Sequence, residues 1–213
     1  MNTDKLLARI GLQKTDVLSV YLLGSRLWGT AAQHSDWDVL IVTRKESEVH
    51  ELNGQGVDAV IMGPETFIKR LGEHRFKELC TLWLPAECRL LEEFSPARRF
   101  ELQPQVLYAH IAEESLRDWS RVEKYLRDHR DKESVRRGKK TALSTLRELL
   151  LCLQLVRDGR ITDYGAANNI HFELRDLYSV EWESFDIEFG NRYRGLVNEL
   201  AKVCGTEQNT DPA

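Results

Sequence analysis

Two aspartates, Asp36 and Asp38, stand at the opening of the run WDVLIVT (37–43), whose β-branched and apolar residues otherwise describe a buried strand. An ionised carboxylate is costly in an apolar sheet unless water or a cation reaches it. The chain must therefore fold with this strand entrance either solvated or built around a positive charge. Side chains alternate across a strand, so Asp36 and Asp38 share a face, roughly 7 Å apart along it. A third acid, Asp58, interrupts the apolar run VDAVIM (57–62). If that strand pairs with 37–43, Asp58 faces the same two carboxylates, and a divalent cation can relieve their repulsion.

Upstream, VLSVYLL (17–23) reads as a strand that stops at a Gly24-Ser25 turn within GSRLWG. Gly24 lets a phosphate approach the backbone, Ser25 can donate to phosphate oxygens, and Arg26 adds charge. An oxygen-only ligand set suits Mg²⁺, with Mn²⁺ as a substitute, and Mg²⁺ commonly completes its shell with water and substrate phosphate. A phosphate cradle beside a metal site is the minimum for phosphoryl or nucleotidyl transfer. This is not a P-loop, because no Gly-Lys-Ser/Thr follows the glycines. Taken alone, a Gly-Ser turn is a common loop and an Asp-x-Asp strand start is usually solvated; their conjunction carries the functional reading.

Gly24-Ser25, ten further residues, Asp36-x-Asp38 and a later strand acid resemble the signature of the DNA polymerase β-like nucleotidyltransferase superfamily, to which kanamycin nucleotidyltransferase and the minimal nucleotidyltransferases belong. GSRLWGT…SDWDVLIV is similar to a group of bacterial nucleotidyltransferases with a GSRxxGxAxxxSDxD turn. The likeness extends through VDAVIMGPETFIKRL and RGKKTALSTLRELLLCLQLVRDGRITDYGAAN. The resemblance implies that Gly24 and Ser25 bind the β- and γ-phosphates of an NTP, with ATP as the first candidate. It implies that Asp36 and Asp38 hold Mg²⁺, and that Asp58 holds a second metal or acts as general base. A nucleoside monophosphate would then pass to an acceptor hydroxyl, on a small molecule, a protein or an RNA end, with release of pyrophosphate. The twenty residues from Asp38 to Asp58 leave room only for a tight connection.

The resemblance and the element pattern together describe an α/β (α+β) chain. Its nucleotidyltransferase catalytic domain, a mixed sheet flanked by helices, covers 1–100; a helical bundle covers 101–205; a disordered tail covers 206–213. Helices are expected over 3–12, with Asn2 or Thr3 as cap, and over 64–74, where Pro64 suits a first turn. The segment 76–84 reads as helical or irregular. Beyond Pro104, residues 105–132 carry Val106, Ile111, Leu116, Trp119, Val122 and Leu126 on one helical face. Residues 134–160 form a second long helix with Leu143, Leu146, Leu150 and Leu153 as its core seam, ended by Asp158-Gly159. A further helix lies in 188–204. On the second long helix Lys140, Ser144 and Arg147 fall at i, i+4 and i+7. Two readings stand there. Lys140 and Arg147 reach the triphosphate or the departing pyrophosphate, or Arg147 pairs with an acid such as Asp163 while Lys140 is solvated.

The net charge of −4 argues against a globally basic nucleic-acid binder. Arg117–Arg147 nevertheless holds eleven Lys/Arg against five Asp/Glu. Such a run is most often a solvated helix face, but it leaves RNA binding as an alternative, beside a catalytically inactive nucleotide- or partner-binding module of the same fold. Cys80, Cys88, Cys152 and Cys204 show neither metal-ligand nor disulfide spacing, so they read as reduced thiols. No Ser-His-Asp or Cys-His constellation is visible. With no signal peptide and no apolar stretch near the ~20 residues of a membrane span, the chain reads as soluble and cytoplasmic. Any exposed remainder of the leucine-rich helix offers a surface for a homodimer.

Overall fold

The structure is a computed structural model that describes residues 2–95, 100–128, 131–177 and 180–206. It divides into two units, Met1–Glu101 and Leu102–Ala213. The expected disordered tail, from residue 207 on, lies outside the described residues.

The first unit is a five-stranded mixed sheet with helices. Helix α1 (Thr3–Arg9) is capped by the Asn2 side chain, which accepts from the Asp4 amide at 2.8 Å. It ends earlier than the apolar spacing suggested, at Ile10. Strand β1 (Val17–Leu22) leads into a short helix α2 (Gly24–Trp28), then β2 (Trp37–Thr43), β3 (His50–Gly54) and β4 (Val57–Met62). Helices α3 (Pro64–Gly72, with Pro64 in its first turn) and α4 (Phe76–Thr81) follow, then β5 (Arg89–Glu92). The spatial order is β3-β4-β2-β1-β5. All neighbours run antiparallel except β2 and β4, which are parallel. Tyr21, Leu40, Ile41 and Met62 are fully buried at its centre.

Parallel neighbours normally need a crossover of a dozen or more residues, usually a helix. Here the short 38-to-58 connection is met by a strand instead. After β2 the chain passes to the sheet edge, runs back as β3, and returns between β3 and β2 as β4. The β3–β4 hairpin has a two-residue turn, Gln55 and Gly56, both at positive φ (52° and 73°), the conformation that matches strand twist in tight hairpins.

The second unit is helical. Helices α5 (Pro104–Arg127) and α6 (Lys132–Asp158) form an antiparallel hairpin. A Cβ on Gly138 would lie 2.7 Å from a Leu126 methyl, so the two helices touch closely there. Gly159 ends α6 in the left-handed conformation, as its position after Asp158 predicts. Helices α7 (Asn168–Asp176), α8 (Trp182–Phe185) and α9 (Asn191–Val203) complete the unit, with a π-helical turn over Asp186–Gly190. The buried face of α5 is Leu107, Ile111, Ser115, Trp119, Val122 and Leu126, whereas Val106 and Leu116 are exposed. On α6, Leu146 and Leu153 are buried as expected, but Leu143 and Leu150 only half so, and Leu149, Leu151 and Leu155 join the core. That helix packs against α5, α7 and α9, so its apolar surface is wider than a single seam. All four cysteines are buried, and none forms a disulfide. Among the described residues, no helix is long and apolar enough to cross a membrane.

Candidate active site

The corner between β1 and α2 is shaped by one carboxylate. The Leu23 N–H donates to the Asp38 carbonyl at 2.8 Å, which draws the end of β1 onto the start of β2. Gly24 follows at φ +62°, and a Cβ built there would stand 1.8 Å from Asp38 Oδ2. Glycine is therefore required twice, for the backbone angle and for the space the carboxylate fills. The expected Gly-Ser turn is in fact the first turn of α2, and the chain leaves that helix through Gly29, again left-handed. The half-buried Ser25 has no hydrogen-bond partner for its hydroxyl among the described residues.

Asp38 and Asp58 are direct partners in the parallel β2–β4 register. Register neighbours project from the same sheet face, so the two carboxylates stand side by side, both half-buried. On the other side of Asp58, Asn53 of β3 is its register partner. Asp36 immediately precedes β2, is exposed, and its Oδ1 lies 3.8 Å from where a Cβ on Gly56 would be. The β2–β4 register extended by one residue sets Asp36 beside Gly56 as it sets Asp38 beside Asp58, and Asp38 also borders Gly24. Among the described residues, no group of three or more His, Cys, Asp or Glu side chains converges as a ready metal cluster. Asp38 and Asp58 are brought together as register partners, with Asp36 at the entrance of β2.

The sequence matches the family described as "Nucleotidyltransferase domain" over residues 5–149. The chain belongs to that family. Among solved structures, the nucleotidyltransferase is similar to the spectinomycin adenyltransferase of Enterococcus faecialis, solved with ATP and spectinomycin, at 12% identity and a TM-score of 0.45. That match covers 88% of this chain and 92% of the other. It is also similar to a nucleotidyltransferase-like protein from Exiguobacterium sibiricum, at 11% identity and a TM-score of 0.32, over 91% of this chain and 70% of the other. No curated protein matches the sequence.

The donor chemistry of the nucleotidyltransferase fits a hard divalent cation. Mg²⁺ is commonly held by one or two carboxylates plus waters and substrate phosphates rather than by a full protein cage, and the Asp38–Asp58 pair meets that requirement with oxygen donors alone.

The remaining candidates lie on other elements. Arg26 donates from Nη2 to the Ser35 carbonyl at 2.7 Å, and its guanidinium lies 4.2 Å over the Trp37 ring. Trp37 and Asp38 are consecutive in β2 and so leave opposite faces; Arg26 thus sits with Trp37, braces the 26–37 loop, and is not brought to the acid pair. Lys140, Ser144 and Arg147 lie on α6 in the second unit and differ in surroundings. Lys140 and Ser144 are exposed, whereas Arg147 is 7% exposed. Burial pushes the Arg147 guanidinium down to about 10. The neighbouring His171 is held below its ordinary value by burial and by the Arg147 and Arg175 charges. The Asp163 carboxylate accepts from the Gly165 amide at 2.8 Å, within its own loop. Asn53 is the site neighbour that sequence reasoning missed. HELNG has no apolar alternation, and all five of its residues are exposed; the tight Gln55-Gly56 turn between it and a recognised strand was the available signal.

Proposed function

We propose that this nucleotidyltransferase moves a nucleoside monophosphate from an NTP, ATP being the first candidate, to an acceptor hydroxyl. The observation that carries the reading is the alignment of Asp38 with Asp58 across two parallel strands, with Gly24 pressed against the Asp38 carboxylate. Asp36, Asp38 and Asp58 are assigned as the ligands of Mg²⁺ or Mn²⁺. When bound, the metal supplies positive charge to the triphosphate oxygens. Ser25 donates its hydroxyl to a phosphate oxygen from the first turn of α2. Asp58 takes the proton of the acceptor hydroxyl. That oxygen bonds to the α-phosphorus, the bond from the α-phosphorus to the β-phosphate oxygen breaks, and the electron pair leaves with pyrophosphate. In-line displacement of this kind depends on positioning and charge more than on covalent chemistry.

The test is incubation with each α-³²P-labelled NTP, Mg²⁺ or Mn²⁺ and a cell lysate, following both the label and released pyrophosphate. Transfer is expected from the wild type, with Asp38→Asn and Asp58→Asn each reducing it by about 10²-fold or more. Equal transfer by these variants overturns the assignment. Nucleotide affinity that rises with Mg²⁺ but yields no pyrophosphate identifies a binding module instead.

A further inference from the structure

Within the second unit, a cavity of about 700 Å³ opens between the N-terminal half of α6, α7 and the residues after it. That volume lies in the range of small-molecule sites. Its walls divide by chemistry. Val135 and Leu143 of α6, with Leu174 and Leu177, supply aliphatic surface, while Lys132, Arg136, Lys139, Lys140 and Arg175 supply cations against one carboxylate, Glu181.

These cations are not equivalent. Arg136 is held by Glu133 through two hydrogen bonds of 2.8 Å, and Arg175 by Asp176 at 2.8 Å. The Lys139 ammonium donates to the Leu177 carbonyl at 2.8 Å, tying α6 to the end of α7. Burial lowers the basicity of Lys139 and of His171, which also lines the cavity. Lys132 and Lys140 have no hydrogen bond or ion pair among the described residues. They are eight residues apart, so they fall on the same side of α6, with Arg136 and Leu143 between them in angle around that face. Two ammonium groups that form no ion pair among the described residues therefore rim an aliphatic hollow.

We propose that this cavity binds a small organic anion, a carboxylate or phosphate carried on an apolar body. The apolar part fills the space over Val135, Leu143 and Leu174, and the anionic group meets Lys132 and Lys140 at the rim. A nucleic-acid strand fits less well. Single-strand sites combine a long basic groove with aromatic stacking platforms, whereas the described lining of this hollow holds no Phe, Tyr or Trp. The inference goes beyond the nucleotidyl transfer proposed above and does not rest on it.

The probes are 1-naphthyl phosphate, 1-naphthoate, 1-naphthol and inorganic phosphate, titrated without nucleotide or metal into ¹⁵N-labelled full-length protein. Both naphthyl anions should shift backbone amides of 132–143 and 171–177, and should bind about tenfold more tightly than 1-naphthol or inorganic phosphate. A preference between the two anions identifies the head group. Lys132→Glu and Lys140→Glu, both on exposed positions, should each weaken the anions about tenfold and leave 1-naphthol unaffected. Asp38→Asn should leave binding intact, which separates this site from the proposed active site. The proposal is overturned by equal binding of 1-naphthol, by equal binding of inorganic phosphate, or by shifts that map elsewhere. It is equally overturned by no binding at millimolar probe, or by a short single-stranded RNA displacing 1-naphthyl phosphate at lower concentration.

Discussion

At the scale of the residue, Gly24 is the position where backbone and chemistry are least separable. Its φ of +62° disfavours any side chain, and the space beside its Cα belongs to the Asp38 carboxylate. Gly24→Ala is therefore expected to lower the unfolding free energy by more than about 1 kcal/mol, the penalty for alanine at an incompatible positive φ. It should also displace Asp38 and so reduce nucleotidyl transfer well beyond the loss of folded protein. Urea unfolding and label transfer, measured on the same preparation, check both parts. Unchanged transfer would show that Asp38 does not need this contact. Gly11, also left-handed (φ +74°) and exposed, has nothing within 4 Å of where a Cβ would stand and serves as the comparison: alanine there meets only the backbone penalty. The sequence made Gly24, Ser25, Asp38 and Asp58 legible because glycine and charge in apolar runs are conspicuous. It did not reveal where Arg26 points. Arg26 lies outside the regular strand and is drawn to the Ser35 carbonyl and the Trp37 ring, partners a linear pattern does not rank.

At the scale of elements, strongly periodic segments were readable and weakly patterned ones were not. Helices α5 and α6 were evident from their apolar faces, and Gly159 marked the end of the second. Strand β3 escaped because it is an exposed edge without apolar alternation, and β5 because its four residues, RLLE, carry no period. Helices α3 and α4 are joined by something no period predicts. Glu78 is fully buried on α4, and its carboxylate pairs with Arg70 of α3, which is 28% exposed. A buried carboxylate that loses its cation is left with an uncompensated charge, at a cost of about 3–5 kcal/mol. Arg70→Ala is expected to destabilise the protein near the low end of that range, because water reaches the Arg70 side of the pair. Replacing both residues by apolar ones of similar volume should recover most of the loss. Denaturant midpoints for Arg70→Ala, Glu78→Leu and the Arg70→Met/Glu78→Leu double variant test this; additive losses would show that the pair is not coupled.

At the scale of the whole molecule, charge is sorted more finely than net values indicate. The chain is acidic overall, and within its basic stretch several arginines are paired with acids about one helical turn away. Arg121 meets Asp118 at 2.8 Å, Arg127 meets Glu123 at 2.7 Å, and Glu133 receives both Arg136 and Arg137 at 2.8 Å. Glu133 is consequently held down to about 2 by its two arginine partners. Exposed pairs of this kind contribute little stability, but they leave few arginines free for phosphates. Affinity for a 20-nucleotide single-stranded RNA is thus expected in the non-specific range, at a Kd of about 10⁻⁴–10⁻⁶ M or weaker at physiological salt, with a shallow salt slope. Fluorescence anisotropy at several salt concentrations measures both. Nanomolar binding with a steep slope would restore RNA recognition as a main function of the helical unit.

The two-residue turn at Gln55-Gly56 has a consequence for inheritance as well as for geometry. Strand faces alternate with every residue, so sliding β4 by one position against β2 would turn Asp58 to the opposite face. Residues 44–49 lie between strands and do not set that phase, although Glu46 and Ser47 are tied to the start of α3; one residue gained in the turn threatens it. Insertions in descendants of this chain should therefore accumulate ahead of β3 and spare the turn, which acts as the gauge that keeps two acids from distant parts of the sequence in step.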